Sequence, residues 1–192
     1  MARPRAVAVT ALLITAAGTL YAAVGAVTQW EPAIGWLAQA VLHVGELLAV
    51  IALVSAGAAR TGAAALVGLG AAALGQAVLA VAEVVYPGRP AVGDVLFGVG
   101  PLLTGVGLIV AGVVIVRRWG GPGWSRVGPL LVGAYVVVVL TPVLIGSGGP
   151  PAPAALAAIA GWDVLWALVA ASALARLAPA DAGPRRVEAA LH

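Results

Sequence analysis

The sequence predicts an all-α, polytopic integral membrane protein, a six-transmembrane-helix bundle with both termini cytoplasmic. Three observations predict it. Of 192 residues, 62% are hydrophobic and only 9% charged, whereas a soluble domain is about 45–50% apolar and about 25% charged. The apolar residues are gathered into runs long enough to cross a hydrocarbon core of about 30 Å, which takes about 20 helical residues. The arginines, finally, fall almost entirely on one side of those runs.

The runs cover residues 6–29, 33–58, 62–86, 91–116, 127–146 and 154–177. The first begins in "MARPRAVAVTALLITAAGTLYAAVGA", which has the basic start of a secretory signal. Its apolar stretch exceeds the signal core of about 7–15 residues and more spans follow, so it reads as a retained first helix. "WEP" at 30–32 ends it. The second run holds His43 and Glu46 and stops at "ART", 59–61. The third contains "GLGAAALG" at 68–75 and the fourth "GVGPLLTGVG" at 98–107, with "YPGRP" at 86–90 between them. Such small-residue patterns let helix backbones approach closely. "RRWGGPGWSR" at 117–126 precedes the fifth run, and "SGGPPAP" at 147–153 precedes the sixth, which carries "GWDVLW". Pro101 and Pro142 lie inside the fourth and fifth runs, where each removes a helical hydrogen bond and is expected to kink its helix. Barrel strands would be about ten residues long and would alternate in polarity; these runs do neither.

With the amino terminus inside, the cytoplasmic segments hold Arg3, Arg5, Arg60, Arg117, Arg118, Arg126, Arg176, Arg185 and Arg186, and the outer loops only Arg89. Adding or removing one span would scramble that alternation. One domain over residues 1–178 and a short cytoplasmic tail, 179–192, are expected, in the cell membrane and in contact with its lipids. Trp30 and Tyr86 at the outer interface, and Trp119 and Trp124 at the inner one, fit an aromatic belt.

Composition also excludes functions. The chain has no cysteine, which removes disulfides, thiol nucleophiles and thiolate metal sites. The arginines form no stripe, so no nucleic-acid partner is expected. No histidine pair, glycine-rich phosphate loop or dinucleotide fingerprint is present, so neither a metal nor a cofactor is expected. "GSGG" at 146–149 surrounds Ser147, but the only histidine besides His43 is His192, in the tail on the opposite side. A serine hydrolase is rejected.

What remains is a small set of polar residues inside apolar runs, where each ionisable group costs about 2.5–3.5 kcal/mol on insertion scales. His43 and Glu46 are three apart and share a face of the second helix, with Gln39 on the same stripe. Entering from the outer side, they sit about 15 and about 20 Å deep, near the midplane. Asp163 reaches a similar depth on the sixth helix. Glu83 and Asp94 flank the outer connection between the third and fourth helices, and Gln76 lies seven residues before Glu83 on nearly the same face. The set predicts a polar pocket opening outward, lined by the second, third, fourth and sixth helices. Trp36, Tyr135, Trp162 and Trp166 supply aromatic walls.

Three functions are compatible with such a site. One is a small transporter or permease for a solute or ion, with Glu46, His43 and Asp163 exchanging or coupling protons. A second is an intramembrane enzyme whose carboxylic acid protonates a lipid or isoprenoid for isomerisation or cyclisation, with indole faces stabilising the cation. The third is a non-catalytic accessory subunit, its polar residues acting only between helices. A chain of this length is small for a transporter, which is compatible with a homodimer.

Overall fold

The expected spans are helical. In the computed structural model, which describes residues 2–30, 32–120 and 123–178, six helices are long and apolar enough to cross a membrane, and no strand occurs among the described residues. They are α1 (Ala2–Thr28), α2 (Gly35–Ser55), α3 (Ala63–Val85), α4 (Pro90–Arg118), a fifth span made of α5 (Gly123–Tyr135) and α6 (Thr141–Ser147), and α7 (Pro153–Arg176). Glu31, Arg185, Arg186, His192, the side chain of Trp124 and the tail at 179–192 lie outside the described residues.

The two prolines expected to kink their helices, Pro101 and Pro142, behave differently. Between α5 and α6 the chain forms one π-helical turn, Val136–Leu140, in which the Thr141 N–H reaches back five residues to Val136 O. Pro142 follows at once. It has no N–H to donate and its ring crowds the carbonyl four residues back; a widened turn relieves both. Pro101, by contrast, lies inside α4, which continues as one helix of 29 residues.

The helices close into a ring. Each of α1 to α4 packs on the next, α4 packs on α5, α5 and α6 pack on α7, and α7 returns to α1. A further contact between α2 and α7 crosses the interior. The closest pair is α3 and α4, where Gly68 faces the Gly107 carbonyl and Gly107 the Gly68 carbonyl. Added Cβ atoms there would stand 2.7 Å from Ala111 N and 2.8 Å from Ala72 N respectively, distances that real side chains do not adopt. Only glycine permits this approach, as the small-residue spacing predicts.

Unlike a water-soluble bundle, the protein turns large apolar side chains outward as well as into its core, where Leu53, Leu69, Leu108, Ile115 and Trp166 are buried. The buried positions are mainly alanine and glycine, together with Thr15, Glu46, Gln76, Thr104 and Asp163. Large apolar side chains point outward all round, with Val27 86% and Ile145 78% exposed. Trp30 and Tyr86 are likewise exposed, whereas Trp119 is buried. The expectation that Trp119 belongs to an aromatic belt is therefore corrected: its ring carries the Arg176 guanidinium, 3.7 Å from the ring centroid.

Candidate functional site

The α2–α7 crossing positions the polar residues. On α2, His43 and Glu46 are separated by one helical turn, and His43 Nδ1 lies 2.8 Å from Glu46 Oε2. The same nitrogen lies 3.1 Å from Gln76 Oε1 on α3. Both partners are acceptors, so Nδ1 carries the hydrogen and shares it between them. The Gln76 amide then donates from Nε2 to Thr104 Oγ1 on α4, at 3.4 Å. From α7, Trp162 donates its indole N–H to Glu46 Oε1. On the other side of the imidazole, His43 Nε2 stands 3.8 Å from Glu83 Oε1. One carboxylate, one imidazole and one amide thus tie four helices together.

Asp163 sits beside this network and within electrostatic reach of both Glu46 and His43. It is 2% exposed, and its Oδ2 has no hydrogen-bond partner among the described residues. That oxygen faces Gly18 of α1, where an added Cβ would stand 3.1 Å away, so α1 forms a further wall. Glu46 is 1% and Gln76 0% exposed. His43 and Glu83 keep 15% and 17% of their side chains accessible.

The four helices are the four expected from the sequence, but the residues differ in part. Thr104 replaces Asp94 as the contribution of α4; Asp94 is exposed near the start of that helix. Gln39 is partly buried on the His43 stripe and makes no hydrogen bond among the described residues. Trp36 lies two turns nearer the helix start on the same face, more than a third exposed. Tyr135 does not enter the cluster: its hydroxyl donates to Ala158 O at 3.0 Å and ties α5 to α7. Trp166 packs edge to face on Trp162, with ring centroids 5.9 Å apart. Of the expected outward vestibule, the inner residues Glu46, Gln76 and Asp163 are buried, while His43 and Glu83 stay partly accessible. Two surface grooves, one between α1 and α2 and one between α2 and α3, are lined by apolar and aromatic side chains and by no residue of the cluster.

Thr104 is the residue of the cluster that sequence reasoning missed. Its signal was present in "GPLLTGVG", where the one hydroxyl on the close-packed face of α4 stands next to Gly75 of α3. Replacing Thr104 with valine keeps its shape and leaves the Gln76 amide without an acceptor, a loss of about 1–3 kcal/mol for a buried group. Thermal unfolding in detergent should register that loss, and Thr104→Ser should restore most of it. Equal stability of Thr104→Val and wild type would remove Thr104 from the network.

Among the described residues no group of three or more His, Cys, Asp or Glu is arranged to hold a metal ion. No protein-family model matches the chain, and no curated protein or solved structure is similar to it.

Proposed function

We propose that this chain is a multi-pass protein of the cell membrane, with both termini cytoplasmic. We propose further that it moves a small solute or ion across the bilayer with the His43–Glu46 pair as a protonatable site reached from the outside. The membrane reading is supported by six apolar helices, by outward-facing valines, leucines and isoleucines, and by the one-sided arginines. In that setting the cluster lies near the midplane, and Glu83 stands between it and the outer surface.

One observation carries the transport reading. Three carboxyl groups, Glu46, Glu83 and Asp163, gather around a single imidazole inside an apolar bundle. If the two buried carboxyl groups, Glu46 and Asp163, were both ionised, one imidazolium would balance only one of them, and burying the other charge uncompensated is prohibitive. The cluster is balanced only by taking up protons or a cation. Helix-to-helix adhesion requires no such imbalance, because neutral amides and hydroxyls serve it. An enzyme acting on a lipid cation would use the same carboxyls but needs indole faces turned to its substrate. Trp162 instead presents its N–H edge to Glu46, and Trp36 stands apart.

The test is proton flux into proteoliposomes holding an internal pH dye, under an imposed potential. Wild type should conduct, and folded Glu46→Gln should fall to the protein-free background. Equal flux in both would overturn the role of Glu46. No flux from folded wild type would overturn an uncoupled proton pathway and turn the search to co-purified lipids as substrates of the enzyme.

A further inference from the structure

The opposite end of the bundle carries a second polar cluster that the transport reading does not use. Here α7 ends at Arg176, and α5 begins with Ser125 and Arg126 in its first turn. The Arg176 guanidinium sits over the Trp119 ring, 3.7 Å from its centroid. Its Nη2 donates to Gly120 O and, at 3.3 Å, to Ser125 Oγ. Arg126 follows Ser125 in the chain, so the contact of Arg176 with Ser125 brings the two arginines to the same end of the bundle. The Nε–H of each is buried without a hydrogen-bond partner among the described residues, while both side chains remain partly accessible.

Two cations held together call for an anion. Among the described residues the only ion pairs are those of His43 with Glu46 and Glu83, so no carboxylate there neutralises Arg126 or Arg176. The start of α5 adds to the positive potential, because the first N–H groups of a helix have no intrahelical acceptor and its dipole is positive at that end. Arg126 offers a planar fork that fits two oxygens of one tetrahedral anion, a geometry that an ammonium lacks, and Arg176, its Nη2 engaged by Gly120 O and Ser125 Oγ, adds Nη1 as a further donor.

We propose that Arg126 and Arg176 bind a phosphate group between the first turn of α5 and the end of α7. The phosphate belongs either to a phospholipid headgroup at the membrane surface or to a free phosphate. Basic pockets between helices at the cytoplasmic side are a known setting for headgroups, and only that source depends on the membrane reading.

The test uses the full-length protein in uncharged detergent, titrated separately with inorganic phosphate and with short-chain phosphatidylglycerol. Thermal stability and native mass spectrometry are read against sodium chloride at equal ionic strength. Wild type should show a saturable rise in melting temperature with at least one probe. Saturation by phosphatidylglycerol alone identifies a headgroup, and saturation by inorganic phosphate identifies a free anion. Arg126→Gln should weaken the response at least about tenfold, the loss of one charge-assisted contact, and Arg126→Lys should recover only part of it. Arg60, exposed at the same end, serves as the control, and Arg60→Gln should bind as wild type. Saturation by neither probe overturns the site, and so does an equal loss in Arg60→Gln, which would mean a diffuse positive surface. Both readouts are independent of proton flux, so this site and the transport reading stand or fall separately.

Discussion

Glu46→Leu should cost the fold about 3–5 kcal/mol, the usual penalty for removing one partner of a buried ionic pair. The carboxylate accepts from His43 with one oxygen and from Trp162 with the other. Leucine leaves the indole N–H buried without an acceptor and returns His43 to Gln76 alone. Glu46→Gln is a different experiment. The new amide oxygen can accept from Trp162, and its NH2 can donate to His43 Nδ1 once the imidazole moves its hydrogen to Nε2. Nε2 then points toward Glu83 Oε1, which at 3.8 Å is beyond hydrogen-bond reach. The Gln76 carbonyl loses its donor, so the cost falls to about 1–3 kcal/mol, that of one neutral buried group left unpaired. Unfolding in detergent should therefore separate the two variants clearly, while both abolish proton flux. Were Glu46→Gln as unstable as Glu46→Leu, the pair would be a structural tie and its role in transport would be lost. Wild-type stability in Glu46→Leu would mean that the Trp162–Glu46–His43 chain does not exist.

Gly107→Val should be the most damaging change outside the cluster. A Cβ at this position meets the Gly68 carbonyl directly, stands 2.8 Å from Ala72 N and lies 3.1 Å from Ala71 Cβ. Two of those atoms are backbone, so no rotamer change relieves the overlap and α3 must retreat from α4. Overpacking of this kind costs about 1–3 kcal/mol or more. Bilayer lipid is as apolar as the displaced side chains and offers no compensation. Moving α3 also draws Gln76 away from His43 and Thr104, so flux should fall together with stability. Gly70→Val is the control on the same helix: Gly70 is exposed and has nothing within 4 Å of an added Cβ. Unfolding temperature and monodispersity in detergent should be unchanged in Gly70→Val and reduced in Gly107→Val. Equal behaviour of the two would disprove the close contact of α3 with α4.

Much of the candidate site was legible because its geometry is local. Residues three apart on a helix share a face, so the His43–Glu46 contact followed from spacing alone. Gln76 and Glu83 share a face for the same reason, and the cluster uses both. Tyr135 and Asp94 were not separable in this way. Both lie on helices that are apolar around most of their circumference, so periodicity does not reveal which side turns inward. Tyr135 is turned to the Ala158 carbonyl, and Asp94 to the surface.

Length and hydropathy determined, from the sequence by itself, that there are six apolar helical spans and, to within a few residues, where each lies, because a run of about 20 apolar residues bounded by Pro, Gly and Arg has few other solutions. Spacing along α3 and α4 determined that these helices carry small residues where they meet. The tertiary structure alone decided that α7 folds back against α1 and α2, bringing the Trp162 indole to Glu46 and Asp163 to Gly18. It alone selected Thr104 as the end of the network and buried Trp119 beneath Arg176. The physical reason is common to all of these. A helix ladder is closed by neighbours four residues apart, whereas a side-chain contact between helices depends on azimuth, and an all-round apolar helix does not write its azimuth into its sequence.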